Sequence, residues 1–376
     1  MKIQVGFYGH VRQYQNIKQE IDAQIEEVLL SGKFVQGPKL AAFEEQAKAY
    51  FGCEYAIGVG NGTDALWLSL MALGVGPGDE VITHANTFFA TVEAIWIAGA
   101  TAVLVDCDPQ TKCIDPAAAE AAVTDKTKAI MPVHLYGQCA DMPAIKAIAK
   151  KHDLFVIEDN AQGIDGAGDS FKQGELSDTV CTSFIIQKNL GCFGDGGMVF
   201  TDNPDVDAKI RKFRNHGSAE RDHHSAGFNS RLDDIQAGVL SAKVKHISAW
   251  TDQRIAISKI YNAGLADCTA FELPYHKAGF RHVFHLYVVE TKTAEKRAEL
   301  LQFLQDNGVD AKTHYSIAIH NQDGFPWGKP FRLAGSLENA EKNAATCVSL
   351  PMFPELQPEE IQYMIEKVCE WDALQK

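Results

Sequence analysis

From Glu54 onward the chain alternates short apolar runs with helical stretches, and no other feature restricts its fold as strongly. YAIGVG precedes GTDALWLSLMAL, and EVITHA precedes FFATVEAIWIAG. TAVLVD leads to a helical stretch from about Pro116 to Val123, KAIMPVHLYG precedes MPAIKAIAKKHD, and LFVIED follows. Strands separated by helices of about ten to fifteen residues need crossover connections, hence βαβ units in a mostly parallel sheet covered on both faces. CTSFII and GMVFTD add two strands, making a seven-stranded, mostly parallel or mixed sheet in a three-layer α/β domain. Upstream, Ile17, Ile21, Ile25 and Leu29 put one apolar face on a helix over residues 16–30, and a second helix runs from about Leu40 to Phe51, stopping at Gly52. A further helical stretch runs from Leu232 to roughly Ala263. Beyond Gly264 the pattern becomes α+β: a strand, HVFHLYVVET, then helices near 294–307, 336–347 and 357–372. We therefore expect a large domain over residues 1–250 and a smaller α+β domain over 251–376, with about the first 30 residues free to join the smaller one.

Charge narrows the partners. Thirty-five basic against 49 acidic residues give a net charge of −14, which argues against nucleic acid and anionic membranes. Nine cysteines with no C-x-x-C pair fit a reduced, cytoplasmic setting. The opening MKIQVGFYGH has no apolar signal core, and no apolar run is long enough to span a bilayer.

Two glycine-rich stretches carry the chemistry. Gly58, Gly60 and Gly62 follow a strand and open a helix, a spacing close to a dinucleotide fingerprint, with Asp79 and Glu80 about twenty residues on. Those acids precede the second strand rather than end it, so the nicotinamide reading fails in its detail. A helix N-terminus after a glycine turn still suits a phosphate. The other stretch is TSFIIQKNLGCFGDGG, residues 182–197. A lone lysine, Lys188, follows an apolar strand and enters a loop with glycines at 191, 194, 196 and 197. A desolvated lysine is pushed toward its neutral form and can form a Schiff base with a carbonyl. Taken alone, the stretch reads equally as a surface lysine before a hairpin. No H-E-x-x-H or Cys/His zinc spacing occurs, so no metal is expected.

Across nearly the whole chain the order FVQGP, NGTDAL, GDEVI, VDCDP, PVHLYGQCADM, IEDNAQ, KNLGCFGDGG, FNSRLDDIQAG, HLYVV, HYSIAIH and LPMFPEL resembles the DegT/StrS sugar aminotransferases, which depend on pyridoxal phosphate and have the aspartate aminotransferase fold. The resemblance implies that Lys188 bonds the cofactor covalently and moves protons, and that Asp159 holds the pyridinium nitrogen protonated. It implies that Gln162 bonds the ring's 3-hydroxyl oxygen and that Phe88, rather than its neighbour Phe89, stacks on the ring. Gly62, Thr63, Ser183 and the backbone amide of Asp64 would hold the phosphate, joined by Asn229 from the neighbouring subunit of a homodimer with shared sites. His223 or His224, His314 and Tyr315 would line the acceptor pocket. Read from the residues alone, Asp159 is also what a helix N-cap looks like, Ser183 an ordinary strand serine and Asn229 a polar turn.

The implied reaction is amino transfer from an amino acid, glutamate by default, to a keto-sugar, by a ping-pong scheme. A nucleotide-linked keto-deoxysugar for surface polysaccharide or natural-product sugars is the default acceptor, with Lys33, Arg214, Arg221, Arg281 and Lys329 as candidate diphosphate contacts. A free keto-sugar acid, an octulosonate for lipopolysaccharide, is the alternative. Relatives that dehydrate sugars carry histidine in place of the lysine, and a non-catalytic regulator would keep only the cradle. The chain departs from the usual pattern at Ile185 and Ile186, at Asn160 beside Asp159, at Ser316 after His314–Tyr315, and at Glu290, where a basic residue is common.

Overall fold

The computed structural model describes residues 4–220 and 223–376, the side chains of 219, 220 and 223 excepted. The first seven strands are β1 (Tyr55–Val59), β2 (Glu80–His84), β3 (Thr101–Val105), β4 (Thr127–Ile130), β5 (Phe155–Asp159), β6 (Thr179–Ser183) and β7 (Gly197–Thr201). Then come a small hairpin, β8 (Ser218–Glu220) and β9 (His223–His224), and β10 (Phe271–Glu272), β11 (Tyr287–Thr291), β12 (Phe331–Leu333) and β13 (Cys347–Leu350). The large sheet has the order β1-β7-β6-β5-β4-β2-β3-β12. Only β7 runs against its neighbours, so the C-terminal ends of β1, β2, β5 and β6 open on one edge.

Consecutive residues of one strand face different cores, as a sheet covered on both sides requires. Val81 and Leu104 pack with Leu68 and Ile95 on one face, whereas Ile82 and Val103 pack with Met142 and Ile145 on the other. Burying each such side chain contributes about 1.5–3 kcal/mol. The helix Gly62–Ala72 is buried almost throughout, which explains why GTDALWLSLMAL is apolar all round.

The sheet has eight strands where the sequence pattern gives seven. The extra strand, β12, comes from the C-terminal half and pairs in parallel with β3 through Phe331–Ala102 and Leu333–Leu104. Three residues are too few to show a period. The helical stretch after Leu232 is two helices, Asp234–Val244 and Ile247–Gly264. The first supplies Ala237, Leu240 and Val244 to the large-sheet core, while the second gives Ile257 and Tyr261 to the core around β11, so the chain must turn between them. HVFHLYVVET pairs only from Tyr287, because Phe284 has a left-handed backbone (φ 43°) that ends extended pairing.

β10, β11 and β13 form an antiparallel sheet over a core of Tyr261, Tyr287, Leu300 and Trp371. Val5 belongs to this core and bridges Val309, whereas Ile17 and Ile21 pack on Val239 and Ala242 of the helix Asp234–Val244. Among the described residues no helix is long and apolar enough to cross a membrane.

Candidate active site

Four strand ends and the loop between β6 and β7 converge on a cavity of about 380 Å3. Gly62, Thr63, Phe88, Asp159, Gln162, Ser183, Lys188, His314 and Tyr315 all line it.

One wall is the start of the helix Gly62–Ala72. Asn61 caps it, its Oδ1 accepting from the Asp64 amide at 2.8 Å. The amides of Gly62 and Thr63 have no acceptor within the helix. Ser183, at the end of β6, faces them so closely that a Cβ on Gly62 would stand 2.7 Å from the Ser183 Cβ. A Cβ on Gly197 would stand 2.3 Å from the Asn61 carbonyl oxygen, so glycine is required at both points of contact. Two open amides and a hydroxyl at the positive end of a helix make an anion cradle.

Lys188 sits in the β6–β7 loop, its amide donating to the Ile185 carbonyl at 2.8 Å. Burial lowers its pKa to about 8, partly opposed by the negative charge of Asp159. Its Nζ has no hydrogen bond or ion pair with a described residue. Asp159 ends β5, and its carboxylate accepts from the Thr91 hydroxyl at 2.9 Å and the Ala161 amide at 3.2 Å. Burial raises its pKa, against those two bonds and the charge of Lys188. A carboxylate so desolvated stays ionised when a cation faces it.

The remaining wall carries Gln162, His285, His314, Tyr315 and Phe88, with the exposed Asp195 the other carboxylate of the lining. Gln162 accepts from the Tyr136 amide at 2.6 Å and donates to the Tyr315 hydroxyl at 3.0 Å. Phe88 lies 5.4 Å from the Tyr315 ring, whereas Phe89 turns away and packs on Trp96 and Trp327. Burial holds His314 neutral, with a pKa of about 4, and pushes His285 well below its usual value. The Asn189 amide group donates to the Val283 carbonyl, so its oxygen takes the His285 Nδ1 proton and Nε2 remains an acceptor.

Three residues of the sequence reading stand outside this cavity. The Asp64 amide is committed to Asn61 and its carboxylate to Trp67 Nε1 (3.0 Å) and Ser230 Oγ (2.6 Å), which leaves Gly62 and Thr63 as the open amides. Asn229 is exposed and bridges Asn215 through its backbone, and His224 is exposed in the β8–β9 hairpin, Nδ1 near the His216 carbonyl. The His223 side chain and Arg221 lie outside the described residues. Two of the candidate diphosphate contacts are committed elsewhere: Arg214 to Glu44 at 2.6 Å and the Gly58 carbonyl, and Arg281 to Asp165 at 2.9 Å and Asp252. Tyr8, Thr91 and His285 were missed as site residues. His285 lies in the quoted HLYVV motif, but nothing in the local pattern marks Tyr8 or Thr91.

A family model for the DegT/DnrJ/EryC1/StrS aminotransferases matches residues 15–369. The chain belongs to that family. The aminotransferase is 46% identical, over 96% of either chain, to a protein of Geobacillus stearothermophilus named a pleiotropic regulatory protein. It is 39% identical to the dTDP-3-amino-3,4,6-trideoxy-alpha-D-glucose transaminase of Streptomyces venezuelae, covering 95% of this chain and 93% of that one. Its fold superposes on the crystal structure of S. venezuelae DesV in complex with a ketimine intermediate with a TM-score of 0.94, at 38% identity over 99% of both chains.

This is a pyridoxal-phosphate enzyme, and its residues fit the cofactor. An unpartnered, easily deprotonated amine suits an aldehyde, and a buried carboxylate short of a cation suits a pyridinium nitrogen. The glycine cradle opposite Ser183 suits the phosphate.

Proposed function

We propose that this protein transfers an amino group from an amino acid, glutamate by default, to a nucleotide-linked keto-sugar. The observation that carries the reading is the cavity itself. It joins Lys188, Asp159 and an anion cradle to four neutral hydrogen-bonding side chains, His314, His285, Gln162 and Tyr315, with the carboxylate of the exposed Asp195 also among the lining; neutral donors and acceptors match sugar hydroxyls better than they match charge. The likeness to the S. venezuelae transaminase supports the same acceptor class.

When bound, pyridoxal phosphate supplies an aldehyde that carries the amino group and a ring that takes up the electrons of a broken C–H bond. The protein's own part is positional and protonic. Lys188 Nζ would take and return the proton; a pKa of about 8 leaves it competent as base and acid around neutrality. Asp159, pinned by Thr91 and Ala161, holds a proton on the ring nitrogen. Gly62, Thr63 and Ser183 would hold the phosphate end, through charge-assisted bonds of about 1.5–3 kcal/mol each. Phe88, on the cavity wall, would cover one face of the ring. We place Asn229 on the partner subunit's phosphate in a homodimer, a role open to it because it is exposed and does not line the protomer's own cavity.

Glutamate added to the purified yellow protein should bleach the cofactor's visible band and release 2-oxoglutarate. The bleached protein, screened with nucleotide-linked and free keto-sugar acids, should recover its colour with the former. Recovery only with free acids would reject the nucleotide-linked acceptor. An unchanged spectrum with every amino acid tried would reject transamination and leave a cofactor-binding regulator.

A further inference from the structure

Behind the cavity wall runs a buried chain of side chains that the reaction chemistry does not call on. Tyr136 has a left-handed backbone (φ 59°, ψ 0°), a conformation that a bulky residue keeps only when its surroundings hold it there. Its amide is the group that orients Gln162, at 2.6 Å. Its hydroxyl stands 2.5 Å from the His314 carbonyl and 2.8 Å from Asn343 Oδ1. A phenol has one proton, so these two acceptors compete for it. Asn343, fully buried, donates through Nδ2 to Glu290 Oε1 at 3.1 Å, and Lys112 Nζ pairs with the same oxygen. Glu290 is 8% exposed, and its second oxygen has no partner. A buried carboxylate half satisfied is costly to keep.

We infer that Glu290, backed by Lys112, is a positioning residue: through Asn343 and Tyr136 it fixes Gln162, and with it Tyr315 and the His314 carbonyl, on the cavity wall. Glu290 fixes which way the Asn343 amide faces. The Asn343 amide sets where the Tyr136 phenol sits, and the phenol clamps the strained backbone whose N–H aims Gln162. With Oε1 held by Tyr136, Gln162 points Nε2 into the cavity, where one N–H goes to Tyr315 and one remains for the cofactor's ring oxygen.

The test follows the bound cofactor, whatever the acceptor. A ring oxygen that loses a donor holds the chromophore's proton more tightly, so the pH midpoint of the visible band of bound pyridoxal phosphate rises. Glu290→Met should raise that midpoint by about one pH unit. The exchange Lys112→Glu with Glu290→Lys should bring it back. A lysine at 290 donates to Asn343 Oδ1, and Asn343 Nδ2 then donates to the Tyr136 oxygen, leaving the phenol proton to His314. Tyr136→Phe cuts the chain at its other end and should raise the midpoint even if Glu290→Met does not fold. A purely structural pair would lower Tm and leave the midpoint in place. A midpoint unmoved in a folded variant, or not restored by the exchange, overturns the inference. Failure of the keto-sugar reading leaves this measurement untouched.

Discussion

Gly62→Ala tests the phosphate cradle at its narrowest point. Helix propensity alone says the change is favourable, since alanine in place of glycine in a helix stabilises by about 0.8–1 kcal/mol. The backbone of Gly62 is not left-handed, so no conformational penalty applies. The opposing effect is contact. The new Cβ would lie 2.7 Å from Ser183 Cβ and 3.1 Å from its Cα, where ordinary contact begins at 3.4 Å. The helix start must retreat by about 0.7 Å, and overpacking of this kind costs about 1–3 kcal/mol. The same retreat takes an amide–phosphate bond from about 2.8 Å to about 3.5 Å, beyond hydrogen-bonding range. Losing one charge-assisted bond removes about 1.5–3 kcal/mol, or about 10- to 100-fold in Kd. The assay is titration of cofactor-free protein with pyridoxal phosphate, followed by its visible band, with phosphate-free pyridoxal as control. Affinity for pyridoxal phosphate should fall by that factor and affinity for pyridoxal should not. Equal losses for both ligands, or no loss, would refute a cradle formed by Gly62 and Ser183.

Three other outcomes follow. Lys188 is charged in folded and unfolded chains below pH 8, so its burial then costs stability in full; between about 8 and 10.5 the folded state sheds the proton first, and the cost fades. Lys188→Met should therefore raise the Tm of cofactor-free protein at neutral pH, by an amount that shrinks toward pH 10.5, while abolishing transamination; a gain that grew with pH would contradict a depressed lysine. His314, with its pKa lowered to about 4, is neutral across the working pH range, so His314→Gln should change acceptor KM without moving the acid limb of the rate profile. Finally, at limiting cofactor, mixing Lys188→Ala with Asn229→Ala protomers should yield more activity than either parent shows, detected after subunit exchange; full activity in a sedimenting monomer would exclude a shared site.

The large sheet was legible because parallel strands buried on both faces are short apolar runs, and their crossovers leave room for nothing but helices. Lys188 and Asp159 were singled out in the sequence because of their neighbourhoods: Lys188 enters a glycine-rich loop after an apolar run, and Asp159 ends a strand before a polar run. Phe88 and Phe89 cannot be told apart in sequence; the choice between them is made by Trp96 and Trp327, the second more than two hundred residues away. Tyr8 reaches the cavity only because Val5 is anchored beside Val309, and Thr91 meets Asp159 only because the first turn of a helix meets the end of β5. Glu290 stood out as a departure, but its meaning depends on Asn343 and Tyr136, brought together by tertiary packing. Arg214 and Arg281 looked available because a sequence does not show which carboxylates have already claimed them.

β12 ties the two ends of the chain's history together. Until residue 333 has left the ribosome, β3 is an open sheet edge with a row of unpaired backbone groups, and such edges template association with other chains. A fragment cut near residue 250, where the sequence pattern divides the protein, would therefore keep seven strands and expose the eighth position to solvent. Its solubility, more than its helix content, would show how much β12 contributes to the large sheet.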